Sequence, residues 1–298
     1  MPVYGWTLVD IPTNILLAYN QMFPTAKPNV LVSYARISRE TSKTIFDHRD
    51  LIGSLVLDSG TYSLNNSREK FNRKLNIAGY SSFLKQLGNR FDFYLNFDED
   101  YSRDGFDINF ANQTDLEKAG FKPVPVVHDC YGSEIQFYID QGYKIIAIGS
   151  GELRNERYDE LYRIVEKPYS QGVKVHFLGC TEYLKLAYVP VFSADSNTWN
   201  QASWRGQLIY WNPSKRGPDK TEKIRFTYGQ LNRLMKNHID SHPQKEEIEG
   251  YLNSELNLTI DHLKGSEGYF YRQLANIHFY VQMEQRVAAR QIELGFRV

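Results

Sequence analysis

Asp58 and Asp195 are the residues of this chain best suited to bond-making chemistry. Asp58 opens the stretch Asp58-Ser59-Gly60-Thr61-Tyr62-Ser63 at the end of an apolar run, and Asp195 ends a second such stretch, Val191-Phe192-Ser193-Ala194-Asp195. Each sets a carboxylate where a buried strand opens into a loop. One carboxylate can attack a sugar carbon and later leave it while another carries the proton, so a converging pair suits glycosyl chemistry. Further groups fall at similar places. Asp98, Glu99 and Asp100 follow the run 91–97, His128 and Asp129 follow 123–127, Gly149-Ser150-Gly151-Glu152 follows 144–148, and His176 lies inside 173–178. Buried acids without partners are costly, so several at such positions argue for a site. A single acid at a strand end equally well caps the next helix.

The elements that must position these groups are short apolar runs at 30–34, 51–57, 91–97, 123–127, 144–148, 173–178, 187–192 and 207–211. Each suits a strand buried on both faces. Helical spacing marks 80–88, 114–119, 133–141, 157–167 and 181–186, with Gly142 and Gly172 where helix C-caps belong. Strands alternating with helices predict an α/β chain, a (β/α)8 TIM barrel with extra C-terminal helices. An open doubly wound sheet would carry a glycine-rich first turn, and none is found. Residues 1–212 are expected to form the barrel core with its catalytic face. Residues 213–298 are expected to form a helical extension packed on the barrel, with helices over 228–241, 244–255 and 268–294 and a contact with nucleic acid.

The chain has 298 residues, 42% of them hydrophobic, and a formal net charge of zero. That supports a large core but gives no global steering toward nucleic acid or membrane. Any polyanion must meet a local patch. Lys215, Arg216, Lys220, Lys223, Arg225, Arg233 and Lys236 stand against only Asp219 and Glu222. They could grip phosphates, or form a solvated face. Trp199, Trp204 and Arg205 could wedge or stack during nucleotide extrusion, or pack the rim. Cys130 and Cys180 give neither a disulfide framework nor a Cys-rich zinc site. Cys130 beside His128 and Asp129 offers a thiol nucleophile or a structural cysteine. His128, Asp129 and His176 lack a firm third metal ligand. No metal and no cofactor is expected, no run is long enough to span a bilayer, and a soluble cytoplasmic protein is the expectation.

Taken together, the strand ends resemble the queuine/archaeosine tRNA-guanine transglycosylase superfamily, a group of (β/α)8 barrels that exchange guanine for a 7-deazaguanine. The family's Asp-Ser-Gly-Gly-Phe/Tyr-Gln is similar to Asp58-Ser59-Gly60-Thr61-Tyr62-Ser63, and its Phe-Asp-Glu to Phe97-Asp98-Glu99. Its Gly-Gly-Leu and Gly-Glu resemble Gly149-Ser150-Gly151-Glu152-Leu153, its His-Tyr-Leu-Met-Gly resembles His176-Phe177-Leu178-Gly179, and its Phe-Asp resembles the end of Phe192-Ser193-Ala194-Asp195. The resemblance implies Asp195 as the nucleophile on the sugar C1′ and Asp58 as the general acid and base. It implies Asp98 as the reader of the guanine edge and Tyr62 as the stacking aromatic. Ser59 belongs with the substrate-binding residues, His128 stands where the family uses Gln, and the loop Gly149, Ser150 and Gly151 would approach the base.

The chain departs from the tRNA enzymes in ways that bear on substrate. Both cysteines precede Asp195, so the family's Cys/His zinc site is missing, and Thr61 and Ser63 replace a Gly and the Gln. These departures favour the compact DpdA-type DNA 7-deazaguanine transglycosylases of phages and bacteria, acting in the cytoplasm of the bacterium or the host. The implied partners are DNA, or tRNA as the alternative, and a 7-deazaguanine base such as preQ0, with Trp199, Trp204, Arg205, Lys215 and Arg216 on the nucleic acid. A homodimer is left open. A nucleoside or glycoside hydrolase would use the same two carboxylates with water as acceptor. A non-catalytic nucleic-acid-binding barrel is the third reading.

Overall fold

The computed structural model describes residues 6–37, 46–61, 75–102, 105–153, 155–227 and 237–297. Tyr62 and most of the expected helix 228–241 lie outside the described residues. The chain is α/β and divides into two compact units. One comprises residues 1–11, 28–196 and 287–298, the other 12–27 and 197–286.

The first unit is built on an eight-stranded parallel sheet: β1 (Trp6–Val9), β2 (Val30–Ser33), β3 (Leu55–Asp58), β4 (Phe93–Tyr94), β5 (Val126–Val127), β6 (Ile145–Ile148), β7 (Lys174–Phe177) and β8 (Ser193–Ser196). Their order is β4-β3-β2-β1-β8-β7-β6-β5, and every pairing is parallel. An isolated parallel bridge, Leu95 to Val124, joins the segments that follow β4 and precede β5. Parallel strands need crossovers. Those with described helices run through α1 (Thr13–Met22), α2 (Ile77–Leu87), α3 (Phe106–Lys118), α4 (Glu134–Asp140), α5 (Ser150–Leu153), α6 (Tyr158–Ser170) and α7 (Tyr183–Ala187). Valine, leucine and isoleucine predominate in β2, β3, β5 and β6 and are largely buried there, as in a sheet covered on both faces. Asn76 caps α2 by accepting from the Gly79 amide at 2.9 Å, and Gly142 and Gly172 take positive φ just beyond α4 and α6.

Two expected strands are corrected. In the run 187–192, Ala187 ends α7 and 188–192 is irregular, and the strand follows it as β8. Pro190 cannot donate to a ladder. The Gln291 side-chain amide instead reaches the carbonyls of Leu186, Val189 and Val191 at 2.9, 3.1 and 3.3 Å. Gln207–Trp211, expected as the eighth strand of the barrel, is β9 and pairs antiparallel with β10 (Thr221–Arg225). The missing parallel strand is β1, Trp6–Val9.

The second unit packs β9 and β10 with α1 (Thr13–Met22), α8 (Thr198–Trp204), α9 (Lys245–Leu256), α10 (Ile260–Lys264) and the larger part of α11 (Gly268–Glu293). Leu208, Ile224, Phe226, Ile248, Leu252 and Leu263 are among its fully buried core residues. Asn276 of α11 ties this core to β9, accepting from the Ile209 amide at 2.7 Å and donating to Gln207 O at 3.0 Å. Among the described residues no helix is long and apolar enough to cross a membrane.

Candidate active site

Because all eight strands of the first unit run the same way, their carboxyl ends lie on one side, where parallel sheets hold their ligands. Asp10 follows β1, Asp58 ends β3, Asp98 follows β4, His128 follows β5, Gly149 follows β6, Gly179 follows β7, and Asp195 lies in β8.

Asp98 sits in a built cradle. The Ser59 and Thr61 hydroxyls donate to its Oδ1 at 3.0 and 3.1 Å, and His128 Nε2 lies 3.3 Å from its Oδ2. Helix α3 fixes the backbone on both sides. Asn112 donates to Phe97 O at 2.9 Å, and Asn109 accepts from the Asp100 amide at 3.1 Å and donates to Asp100 O at 2.6 Å. The Tyr101 hydroxyl donates to Thr61 Oγ1 at 2.5 Å, and its ring meets the His128 ring edge-on at 5.3 Å. Thr61, where the sequence departs from the transglycosylase pattern, is therefore a ligand of the carboxylate. Gly60 makes the turn at φ +80°, and a Cβ there would stand 2.4 Å from Ala35 Cβ and 2.7 Å from Ala35 N.

His128 is set by groups the sequence reading overlooked. Its backbone amide donates at 2.8 Å to Glu134 Oε2, a buried carboxyl from α4 that burial pushes above its ordinary range. A Cβ on Gly149 would lie 3.2 Å from His128 Nδ1, so glycine there makes room for the imidazole. The Gly149 amide donates to Val127 O at 3.0 Å. The loop's glycine thus serves the histidine and the sheet. Ser150 and Gly151 open α5, and no atom stands within 4 Å of where a Gly151 Cβ would be.

Asp195 is held through one oxygen. His176 Nε2 lies 3.2 Å from its Oδ1, and the Gly179 amide donates to the same atom at 3.2 Å. Gly179 has φ +67°, the left-handed conformation that turns its amide onto the carboxylate. His176 Nδ1 in turn lies 2.7 Å from Ser193 Oγ. The Asp195 carboxylate can only accept, so it favours the tautomer that donates through Nε2, and the Ser193 hydroxyl can then donate to Nδ1. Both of these contacts fall on Oδ1 rather than Oδ2. His176, Ser193 and Asp195 are all buried.

Asp58 differs from both. Its carboxyl is pushed up to about 8, first by burial, then by the charges of Asp98, Asp195 and Asp10, against the opposing Gly60 amide. That amide donates to Asp58 Oδ2 at 3.0 Å. Some of the Asp58 surface still meets solvent, but the carboxyl itself is enclosed by protein, and the enclosure decides its proton affinity. The hydroxyl of Tyr80 from α2 donates to Leu95 O at 2.8 Å, and burial, then the charges of Asp58 and Asp98, drive its pKa well up. Asp10 is the fourth carboxyl, raised by burial against the Ser33 amide at 3.2 Å and Arg36 at 3.9 Å. The sequence signal for Asp10 was present, since Trp6-Thr7-Leu8-Val9-Asp10 repeats the pattern of an apolar run ending in Asp.

The expected nucleic-acid residues belong to the second unit. Trp199 is a correction: it is fully buried in α8 and packs the core, so it presents no face to a ligand. Trp204 is 77% exposed, and Arg205, Lys215 and Arg216 are exposed as well. Lys215 Nζ donates to Thr221 O at 2.7 Å. Cys130 and Cys180 are buried free thiols, and burial pushes Cys180 up to about 11, which disfavours the nucleophilic thiolate. Among the described residues, no group of three or more His, Cys, Asp or Glu is placed to hold a metal ion.

No family model and no curated protein matches the chain. A solved structure of a racemase from Streptomyces coelicolor A3(2) with bound magnesium is similar at a TM-score of 0.44 and 12% identity, over 66% of this chain. The chain spans 57% of that protein's length.

Proposed function

We propose that the chain is a guanine transglycosylase of DNA, built on a closed (β/α)8 barrel with extra helices, that exchanges guanine for a 7-deazaguanine such as preQ0. The observation that carries this reading is the contrast between two carboxyls at the strand ends. Asp195 is pinned through Oδ1 by His176 and Gly179, whereas Asp58 is enclosed and protonated up to about pH 8. Carboxyls whose surroundings assign them different tasks are the pattern of acid–base and covalent pairs.

In the first step Asp195 Oδ2 attacks C1′ of the guanine nucleotide. The bond from C1′ to the base nitrogen breaks with its electron pair on the base, and Asp58 gives that nitrogen its proton. Guanine leaves, and the sugar is held as an ester of Asp195. In the second step the incoming 7-deazaguanine gives its ring N–H proton to Asp58. Its nitrogen attacks C1′, and Asp195 departs as carboxylate. Asp58 ends protonated, so the cycle closes without another reactant.

Asp98 is the proposed reader of the guanine edge, whose paired N–H donors adenine lacks. Ser59 and Thr61 hold Oδ1 by hydrogen bonds, whereas His128 Nε2 approaches Oδ2 to 3.3 Å without hydrogen-bonding it, so the base would take Oδ2 and leave Ser59 and Thr61 in place. Trp204, Arg205, Lys215 and Arg216 are the proposed contacts with the nucleic acid.

The test is base exchange with labelled guanine, offering duplex DNA, single-stranded DNA and tRNA in parallel, with Asp195→Ala as control. Label that enters DNA only when Asp195 is present supports the proposal. Label in tRNA alone keeps the chemistry and moves the substrate to RNA. Free guanine released without incorporation identifies a hydrolase. Absence of label and of a covalent adduct, even with a 7-deazaguanine supplied, rejects the reading.

A further inference from the structure

The second unit contains a cavity of about 270 Å³ lined by Tyr210, Trp211, Tyr251, Glu255, Phe279 and Arg286 among others. That is just below the range of small-molecule sites, about 300–1,000 Å³, and suits one planar ring system. Its walls are aromatic. Tyr210 and Tyr251 lie 5.2 Å apart between ring centroids at 57°, and the Arg286 guanidinium stands 4.9 Å over the Trp211 ring. A cation over an indole face is attracted by the ring's quadrupole and gives the pocket a fixed positive wall.

The guanidinium is aimed from inside the unit. Arg286 Nη2 donates to Gln282 Oε1 at 3.0 Å, Gln282 Nε2 lies 2.7 Å from His278 Nε2, and His278 Nδ1 lies 3.3 Å from the Tyr19 hydroxyl. Phe23 stacks on the imidazole at 4.2 Å. Burial, then the Arg286 charge, pushes His278 down to about 4, so the ring is neutral and its Nε2 accepts from the Gln282 amide. This orients Gln282 Oε1 toward Arg286. The arginine is therefore preorganised, which lowers the ordering cost of binding an anion.

The hairpin that supplies Tyr210 and Trp211 continues into Lys215, Arg216, Lys220 and Lys223, against Asp219 and Glu222. Aromatic faces beside a basic strip are how proteins take up unpaired bases and their phosphates. Glu255 at the rim opposes a dense cluster of phosphates, so one phosphate fits and a triphosphate does not.

We propose that this cavity binds the base and phosphate of a single unpaired nucleotide, the ring lying against the aromatic wall of Tyr210, Trp211 and Tyr251 and the phosphate on Arg286. Free nucleoside monophosphate and one residue of a strand share this chemistry. The inference is independent of the reaction at Asp195, and either could fail alone.

The test is fluorescence anisotropy of a short labelled single-stranded DNA titrated with the full chain. An abasic strand of equal length and free dGMP as competitor run alongside, with Arg286→Gln and Trp211→Leu checked for wild-type melting. The based strand is expected to bind about tenfold more tightly than the abasic one, with that advantage reduced in Trp211→Leu and the affinity for both strands reduced in Arg286→Gln. Competition by dGMP at a Kd matching the strand's assigns the site to free nucleotide, and binding of the strand alone assigns it to a nucleic acid. Equal binding of based and abasic strands, an advantage that survives in a normally melting Trp211→Leu, or unchanged affinity for both strands in a normally melting Arg286→Gln, overturns the proposal.

Discussion

Replacing Asp58 by Asn should stabilise the protein, increasingly so as pH rises. The folded chain holds the Asp58 carboxyl at about 8, against an ordinary value of 3.8. Between those values the native state binds a proton that the unfolded state has released. Native stability must therefore fall as pH rises through this window, by up to about 1.4 kcal/mol per pH unit, and level off above the folded value. Across the window this is on the order of 5 kcal/mol, and roughly 3–5 kcal/mol once the partial exposure of Asp58 is allowed for. Asn carries no proton, yet its amide oxygen can still accept from the Gly60 amide that meets Asp58 at 3.0 Å. The difference between Asp58→Asn and wild type should be near zero around pH 4 and reach several kcal/mol in favour of the variant by pH 8 to 9. Urea unfolding of both proteins at steps across this range measures it, and titrations common to both cancel. A difference that does not grow with pH would refute the claim that the fold keeps Asp58 protonated. The acid–base role would fall with it.

Asp195→Asn should abolish base exchange and trapping of a sugar adduct while leaving the melting temperature nearly unchanged, as read by gel shift and circular dichroism. His176→Phe removes one of the two groups on Asp195 Oδ1 and should lower kcat by up to about 100-fold, whereas His176→Gln, which can still donate, should recover part of it. Asp10→Asn removes a charge that raises Asp58, so the alkaline limb of the exchange rate should move to lower pH; an unmoved limb would separate Asp10 from the site. Gly60→Ala should cost roughly 2–4 kcal/mol in chemical denaturation, because φ +80° and a 2.4 Å approach to Ala35 both oppose a side chain.

The carboxyls were legible because apolar runs ending in Asp are visible in one dimension. Asp58 ends β3 and Asp195 lies near the end of β8, while Asp98 follows β4 by four residues. Their partners were not. Glu134 sits on a helix six positions from the histidine it fixes, and Ser193 reaches Asp195 only through His176 from the neighbouring strand. Contacts of this kind depend on register, which no local pattern records. Trp199 shows the opposite error, since a tryptophan near a site reads the same whether it faces ligand or core.

By itself the sequence determined the α/β alternation, the helix ends at Gly142 and Gly172, and the candidate carboxylates, because periodicity and turn chemistry are local. Only the tertiary structure decided which run is which strand. It showed Trp6–Val9 in the parallel sheet between β2 and β8 and gave Gln207–Trp211 to an antiparallel pair. Apolar strands of equal length are interchangeable in sequence, and only the pairing of backbone donors and acceptors across the sheet tells them apart. Packing likewise gave the carboxyls different surroundings, since burial and neighbouring charge raise Asp58 while a histidine and a glycine amide hold Asp195.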